Sequence, residues 1–121
     1  MAKILVADDN KLSRELLKTI VRQQGYDVIE AADGEEVLKI LNQHEIDLIF
    51  MDCSMPIMSG IETSVQIRQH LCPEKSKVRI IGVSAHGGAI MQECLQAGMN
   101  DYMSKPINLD DVRAKLKNVR K

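Results

Sequence analysis

The stretch Ile46-Asp47-Leu48-Ile49-Phe50-Met51-Asp52 decides the fold. Ile46–Met51 is nearly continuous in aliphatic and aromatic side chains and stops at a carboxylate. A strand with one wet face alternates apolar and polar residues, whereas so short and unbroken an apolar run suits a parallel strand covered on both sides. Outward from it, Lys3–Ala7 and Val78–Val83 have the same character, and Asp27–Ala31 and Asp101–Met103 complete five predicted strands.

Segments with helical spacing separate the strands. Leu12, Leu16, Leu17, Ile20 and Val21 form one stripe, ended near Gly25 as suits a helix C-terminus. Asp33 followed by Glu36 reads as a capping box that opens a second helix with Val37, Leu38 and Leu41 inward. Ser59 with Glu62 repeats that signature ahead of a less regular stripe of Ile61, Val65, Ile67 and Leu71. A fourth helix is predicted from Ala89 to Ala97, stopping at Gly98, and Asn108 caps a fifth that carries Leu109, Val112, Leu116 and Val119. Alternating β and α units predict a doubly wound α/β sandwich, (βα)5, around a parallel five-stranded sheet. With right-handed crossovers the expected strand order is the flavodoxin-like 2-1-3-4-5.

Composition narrows the function. The 121 residues fit one domain, expected to span 1–121, and a hydrophobic fraction of 45% is enough for a single core. Lys and Arg total 16 against 17 Asp and Glu, a net charge of -1, so no global field draws the chain to nucleic acid or to an anionic membrane. Cys53, Cys72 and Cys94 are odd in number without ligand-like spacing, and they read as reduced thiols rather than a disulfide framework. Cys53 itself reads as a packing residue. No targeting signal is visible, and no apolar run approaches the roughly 20 residues of a membrane span. The expectation is a soluble, cytoplasmic chain that neither binds nucleic acid directly nor inserts into a membrane.

In open α/β sheets ligands bind beyond the carboxyl ends of the strands. The first strand is followed by Asp8 and Asp9, the third by Asp52, the fourth by Ser84 and the fifth, soon after, by Lys105. Taken singly, each has an ordinary explanation: Asp9 or Asn10 as a helix cap, Ser84 as a loop hydroxyl, Lys105 as a solvated amine. Together they deliver carboxylates, a hydroxyl and an ammonium to one sheet edge. The expected strand order sets Asp8, Asp9 and Asp52 side by side, where they repel unless a cation joins them. Oxygen ligands and few carboxylates favour Mg²⁺, with Mn²⁺ as the second candidate. A carboxylate nucleophile, a metal, a hydroxyl and a lysine suit phosphoryl transfer, in which charge spreads over three equatorial oxygens. Asp52 is the predicted acceptor, with the metal, Lys105 and Ser84 each taking one phosphoryl oxygen.

Asp8-Asp9, Asp52, Met55-Pro56 with Gly60, Ser84-Ala85 and Lys105-Pro106 resemble the receiver domains of two-component signalling, over essentially the whole chain. The resemblance implies Asp52 as phosphoacceptor, metal ligation by Asp9, Asp52 and the backbone carbonyl of Ser54, and Asp8 acting through metal-bound water. It also implies Ser84 and Tyr102 as a switch pair and Lys105 as the phosphate-binding cation. Met51–Pro56 and Ala97–Ile107 are similar to receivers of hybrid sensor kinases and phosphorelays, whose donor is a phosphohistidine on a histidine kinase or histidine phosphotransfer domain. A stand-alone single-domain response regulator is the alternative. Phosphorylation is expected to draw in Ser84, let Tyr102 fill the vacated space and remodel the face of the fourth helix, fifth strand and fifth helix. Ser54 and His86, two residues beyond Asp52 and Ser84, stand near the path of a hydrolytic water or simply face solvent, and Gly87-Gly88 suggests a mobile loop.

Two other classes fare worse. A haloacid dehalogenase-type phosphohydrolase needs a second Asp two residues after the nucleophile, where Ser54 stands. A non-phosphorylated interaction module has no chemical need for the intact set of Asp9, Asp52, Ser84 and Lys105. The chain is therefore expected to catalyse its own phosphorylation and dephosphorylation without being a conventional turnover enzyme.

Overall fold

The structure, a computed structural model, describes residues 2–85, 89–117 and 119. In chain order the elements are β1 (Lys3–Ala7), α1 (Lys11–Gln23), β2 (Asp27–Ala31), α2 (Gly34–Gln43), β3 (Leu48–Asp52), α3 (Gly60–Arg68), α4 (Pro73–Ser76), β4 (Arg79–Ser84), α5 (Met91–Gln96), β5 (Asp101–Ser104) and α6 (Leu109–Leu116). All strand pairs are parallel and their order is β2-β1-β3-β4-β5. This is the expected flavodoxin-like arrangement. No helix among the described residues is long and apolar enough to cross a membrane.

The alternation of side chains along each strand divides the core in two. Ile4, Val6, Leu48, Phe50, Ile81 and Val83 pack with Leu17, Ile20 and Val21 of α1 and Val112 and Leu116 of α6. On the opposite side Leu5, Ala7, Ile49, Met51 and Ile80 meet Val37 and Leu41 of α2, Ile67 of α3 and Cys94 of α5. The continuous apolar runs follow from this double covering.

Caps fix the helix starts. Asn10, rather than Asp9, accepts the Ser13 amide at α1; Asp33 accepts the Glu36 amide, Ser59 that of Glu62 and Asn108 that of Asp111. Gly25 and Gly98, just past the ends of α1 and α5, adopt positive φ of 95° and 101°, as the predicted stops require.

Several expectations are corrected. Strand β3 starts at Leu48 rather than Ile46 and β4 at Arg79 rather than Val78, and each includes the polar residue that was expected just beyond it. Leu12 and Leu16 do not join the buried stripe of α1, and on the α3 segment Val65 and Leu71 are exposed. The single turn α4 was not expected, and it moves the predicted fourth and fifth helices to α5 and α6. Helix α5 starts at Met91, later than expected. His86 and Gly87-Gly88 lie outside the described residues.

Candidate functional site

Parallel register brings the carboxyl ends of four strands level. Ala7 is paired with Met51, Asp52 with Val83, and Ser84 with Ser104. Asp8, one residue past β1, therefore stands beside Asp52, the last residue of β3. Ser84 ends β4 next to them, and Lys105 follows β5. Asp8, Asp9 and Asp52 each present a carboxylate oxygen within 4.8 Å of the others. Asp8 and Asp52 are buried and Asp9 is exposed.

Backbone hydrogen bonds hold the set in place. The Asp8 amide donates to the Ala31 carbonyl (3.1 Å), and the Asp8 carbonyl accepts from Arg14 Nη1 (2.8 Å). Asp8 Oδ1 accepts from the Asn10 amide (2.8 Å), and Asp52 Oδ1 from the Ser54 amide (3.2 Å). The Lys105 amide donates to the Ser84 carbonyl (2.8 Å), which ties the two strand ends together. Lys105 Nζ lies 3.1 Å from Asp8 Oδ2 and 3.5 Å from Asp52 Oδ2. Gly60 lets α3 begin against Asp52, since a Cβ there would stand 2.1 Å from the Asp52 carbonyl oxygen.

Burial, and then the charge of Asp8, push the Asp52 carboxyl up to about 7, against the opposing pull of the Ser54 amide and Lys105. Burial alone lowers a lysine, but Asp52 and Asp8 outweigh it and raise Lys105. A carboxylate group of this kind, oxygen-rich and short of positive charge, fits a hard divalent cation. Above it opens a cavity of about 430 Å³ lined by Asp9, Asn10, Asp52, Ser54, Ser84, Ala85 and Lys105. It is large enough for a metal, its waters and a phosphoryl group.

Of the predicted site residues, Asp8, Asp9, Asp52, Ser54, Ser84 and Lys105 converge here. Tyr102 is not among the residues that line the cavity; it pairs with Gly82 in the sheet and packs half-buried on the α2–α3–α5 side of the core. Sequence reasoning missed Arg14, whose grip on the Asp8 carbonyl has no signature in an ordinary helix-face arginine. It considered Asn10 only as a helix cap, although Asn10 also lines the cavity and fixes Asp8.

Residues 4–117 match the family described as response regulator receiver domain. The chain is 37% identical over 112 residues to hybrid signal transduction histidine kinase I of Dictyostelium discoideum, a match covering 88% of this chain and 6% of that protein. To the CAI-1 autoinducer sensor kinase/phosphatase CqsS of Vibrio cholerae it is 39% identical over 111 residues, covering 89% of this chain and 16% of that one. It thus spans only a small part of these relatives. Among solved structures it is similar to the receiver domain of the sensor histidine kinase PA1611 from Pseudomonas aeruginosa, which has a magnesium ion coordinated in its active site cleft. The TM-score there is 0.87 at 31% identity, with 96% of this chain and 94% of that one covered. The chemotaxis protein CheY4 of Vibrio cholerae gives a TM-score of 0.89 at 29% identity over 99% of both chains. Fold, acidic edge and sequence agree: this chain belongs to the response regulator receiver domains of two-component signalling.

Proposed function

We propose that Asp52 accepts a phosphoryl group from a phosphohistidine of a histidine kinase or histidine phosphotransfer domain, in a site that holds Mg²⁺. The observation that carries this reading is the grouping of Asp8, Asp9 and Asp52 within 4.8 Å, with Lys105 on the two buried members. Asp9, Asp52 and the Ser54 carbonyl are the metal ligands in this reading, and Asp8 acts through metal-bound water. When bound, Mg²⁺ neutralises the carboxylates and one phosphoryl oxygen; Mn²⁺ suits the same oxygen donors.

The chain's own residues do the rest. A carboxylate oxygen of Asp52 attacks phosphorus, the P–N bond of the donor breaks, and its electron pair stays on the imidazole. Lys105 Nζ shifts from the carboxylates to a second phosphoryl oxygen, and the Ser84 hydroxyl donates to the third. Drawing Ser84 toward the phosphate and Tyr102 toward the vacated space remodels the face formed by α5, β5 and α6. Identities of 34% to 39% with hybrid histidine kinases of D. discoideum and a sensor kinase/phosphatase of V. cholerae favour a kinase-borne receiver over a stand-alone regulator. A phosphohistidine donor belongs to the cytoplasm, where the chain works either free or tethered to a membrane sensor kinase.

Acetyl phosphate or a labelled histidine kinase, with and without Mg²⁺, tests the reading on wild type and Asp52→Asn. Label is expected on the wild type only, and only with the metal. Label that persists in the variant, or forms equally well in chelator, overturns the assignment.

A further inference from the structure

Three sulfur atoms meet over Gly82, on the face of the sheet beneath α5, and phosphoryl transfer uses none of them. A Cβ at Gly82 would stand 2.5 Å from Met99 Sδ, 3.5 Å from Cys53 Sγ and 3.6 Å from Cys94 Sγ. The sulfurs thus occupy the space that the missing side chain leaves. Cys53 Sγ and Cys94 Sγ are 3.1 Å apart, and both are buried free thiols. A disulfide is about 2.05 Å long, so closing the pair takes a movement of only about 1 Å.

The two thiols differ in how firmly they are held. Cys53 follows Asp52 directly; its amide donates to the Val83 carbonyl and its carbonyl accepts from the Gly60 amide. Cys94 belongs to α5, a six-residue helix without a side-chain N-cap bond, and it is the helix's single buried residue. Met91 and Leu95 of the same helix are each 42% exposed. An element with so little buried surface opens locally at low cost, which brings Cys94 to solvent.

We propose that Cys53 and Cys94 form an intramolecular disulfide on exposure to a peroxide, stapling α5 to the strand end that carries Asp52. In the opened helix the Cys94 sulfur attacks one peroxide oxygen. The O–O bond breaks, leaving a sulfenic acid and one water. When the helix recloses, Cys53 Sγ attacks the sulfenic sulfur; the S–S bond forms, the S–O bond breaks and a second water leaves. The sulfurs lose two electrons, one peroxide is reduced to two waters, and both thiol protons leave in them. The crosslink stands on the sulfur geometry alone. Its consequence, a fixed α5–β5–α6 face while Asp52 still accepts phosphate, rests on the proposed function.

The test uses the whole chain carrying Cys72→Ser, which removes the third, half-buried thiol. After hydrogen peroxide and denaturation, free thiols are expected to fall from two to none, with a mass loss of two hydrogens. Proteolysis should yield one Cys53–Cys94 linked peptide that dithiothreitol splits, and α5 amides should exchange about ten-fold more slowly or better. Two thiols that still titrate, oxygen added at separate cysteines without a link, or a link between chains overturns the proposal. In the chain that keeps Cys72, Cys94→Ala should abolish the intramolecular link and leave acetyl phosphate labelling of Asp52 intact; a link that persists, now between Cys53 and Cys72, also overturns the proposal. Labelling without a crosslink defeats this inference alone, and a crosslink without labelling defeats the proposed function alone.

Discussion

At Asp52, burial and the neighbouring Asp8 hold the carboxyl at about 7, and the protein bears that as a folding cost. In the unfolded chain an aspartate ionises near about 3.9. Between the two values the unfolded chain has released the proton and the folded chain retains it. Stability without metal is therefore fullest below about pH 4 as far as Asp52 is concerned, and it is lost as the pH rises through 7. Asp52→Asn keeps the shape and removes the charge, so at pH 8 the metal-free variant should be more stable by about 1–3 kcal/mol, less than the full shift implies because the cavity admits water. The gain should shrink as the pH falls toward 4. Urea titrations at pH 8 and 5 check this, and an equal gain at both would show that Asp52 ionises normally. Ile57 stores a different kind of tension. It is β-branched, 72% exposed and held at φ 68°, a left-handed conformation that costs about 1–2 kcal/mol with no burial in return. Ile57→Gly should raise stability by about 0.5–1 kcal/mol after allowing for the freer unfolded chain, while Ile57→Val should stay within about 0.5 kcal/mol.

Among the elements, α1 and α3 mark where hydrophobic spacing misleads. At about 100° per residue, Leu12 lies about 140° around the helix from Leu17, so a stripe that includes both is wider than the core-facing arc. Leu12 is 82% exposed and Leu17 is 3% exposed. Leu17→Ala should cost about 2–4 kcal/mol and Leu12→Ala less than about 0.5 kcal/mol, a contrast that thermal melts of the two variants would read. Helix α3 turns a small, polar face inward, made of Gly60, Thr63 and Ser64 with Ile67. Thr63 and Ser64 satisfy their hydroxyls on the Ser59 and Gly60 carbonyls, 2.7 and 2.8 Å away. Apolar periodicity has nothing to register on such a face, whereas the Ser59 cap was legible because capping is local chemistry. The face is small because Gly60 abuts the Asp52 backbone, which cannot move without moving the carboxylate of the acidic cluster. Gly60→Ala should cost about 2–3 kcal/mol and slow Asp52 labelling as well. Helix α4 escaped notice because one turn has no period, although Pro73 at its start is a recognisable sign.

Across the whole molecule, strand order was legible because the core is covered twice. Each apolar run had to be an inner or a doubly covered strand, and alternation with helices then restricted the topology. The site followed from the order, since residues as far apart as Asp8, Asp52 and Lys105 meet only when β1, β3, β4 and β5 lie in register. Exact strand ends were not legible: Asp52 and Ser84 extend the ladder themselves, and polarity alone does not reveal that a buried polar residue is still hydrogen-bonded as strand. The same convergence makes the proposed metal binding depend on the fold, because the unfolded chain cannot gather the carboxylates. Mg²⁺ should therefore stabilise the protein against heat by RT ln(1 + [Mg²⁺]/Kd), with the melting temperature rising steadily with concentration. The cation competes with the proton on Asp52, so the rise should be full near pH 8, diminish as the pH falls through 7 and be nearly absent by about pH 5.5. Asp9→Asn should weaken it at every pH. Melting curves at constant ionic strength, with K⁺ replacing Mg²⁺ in the control, separate site binding from general screening. A rise of equal size at pH 8 and pH 5.5 would mean that the cation is held somewhere other than at Asp52.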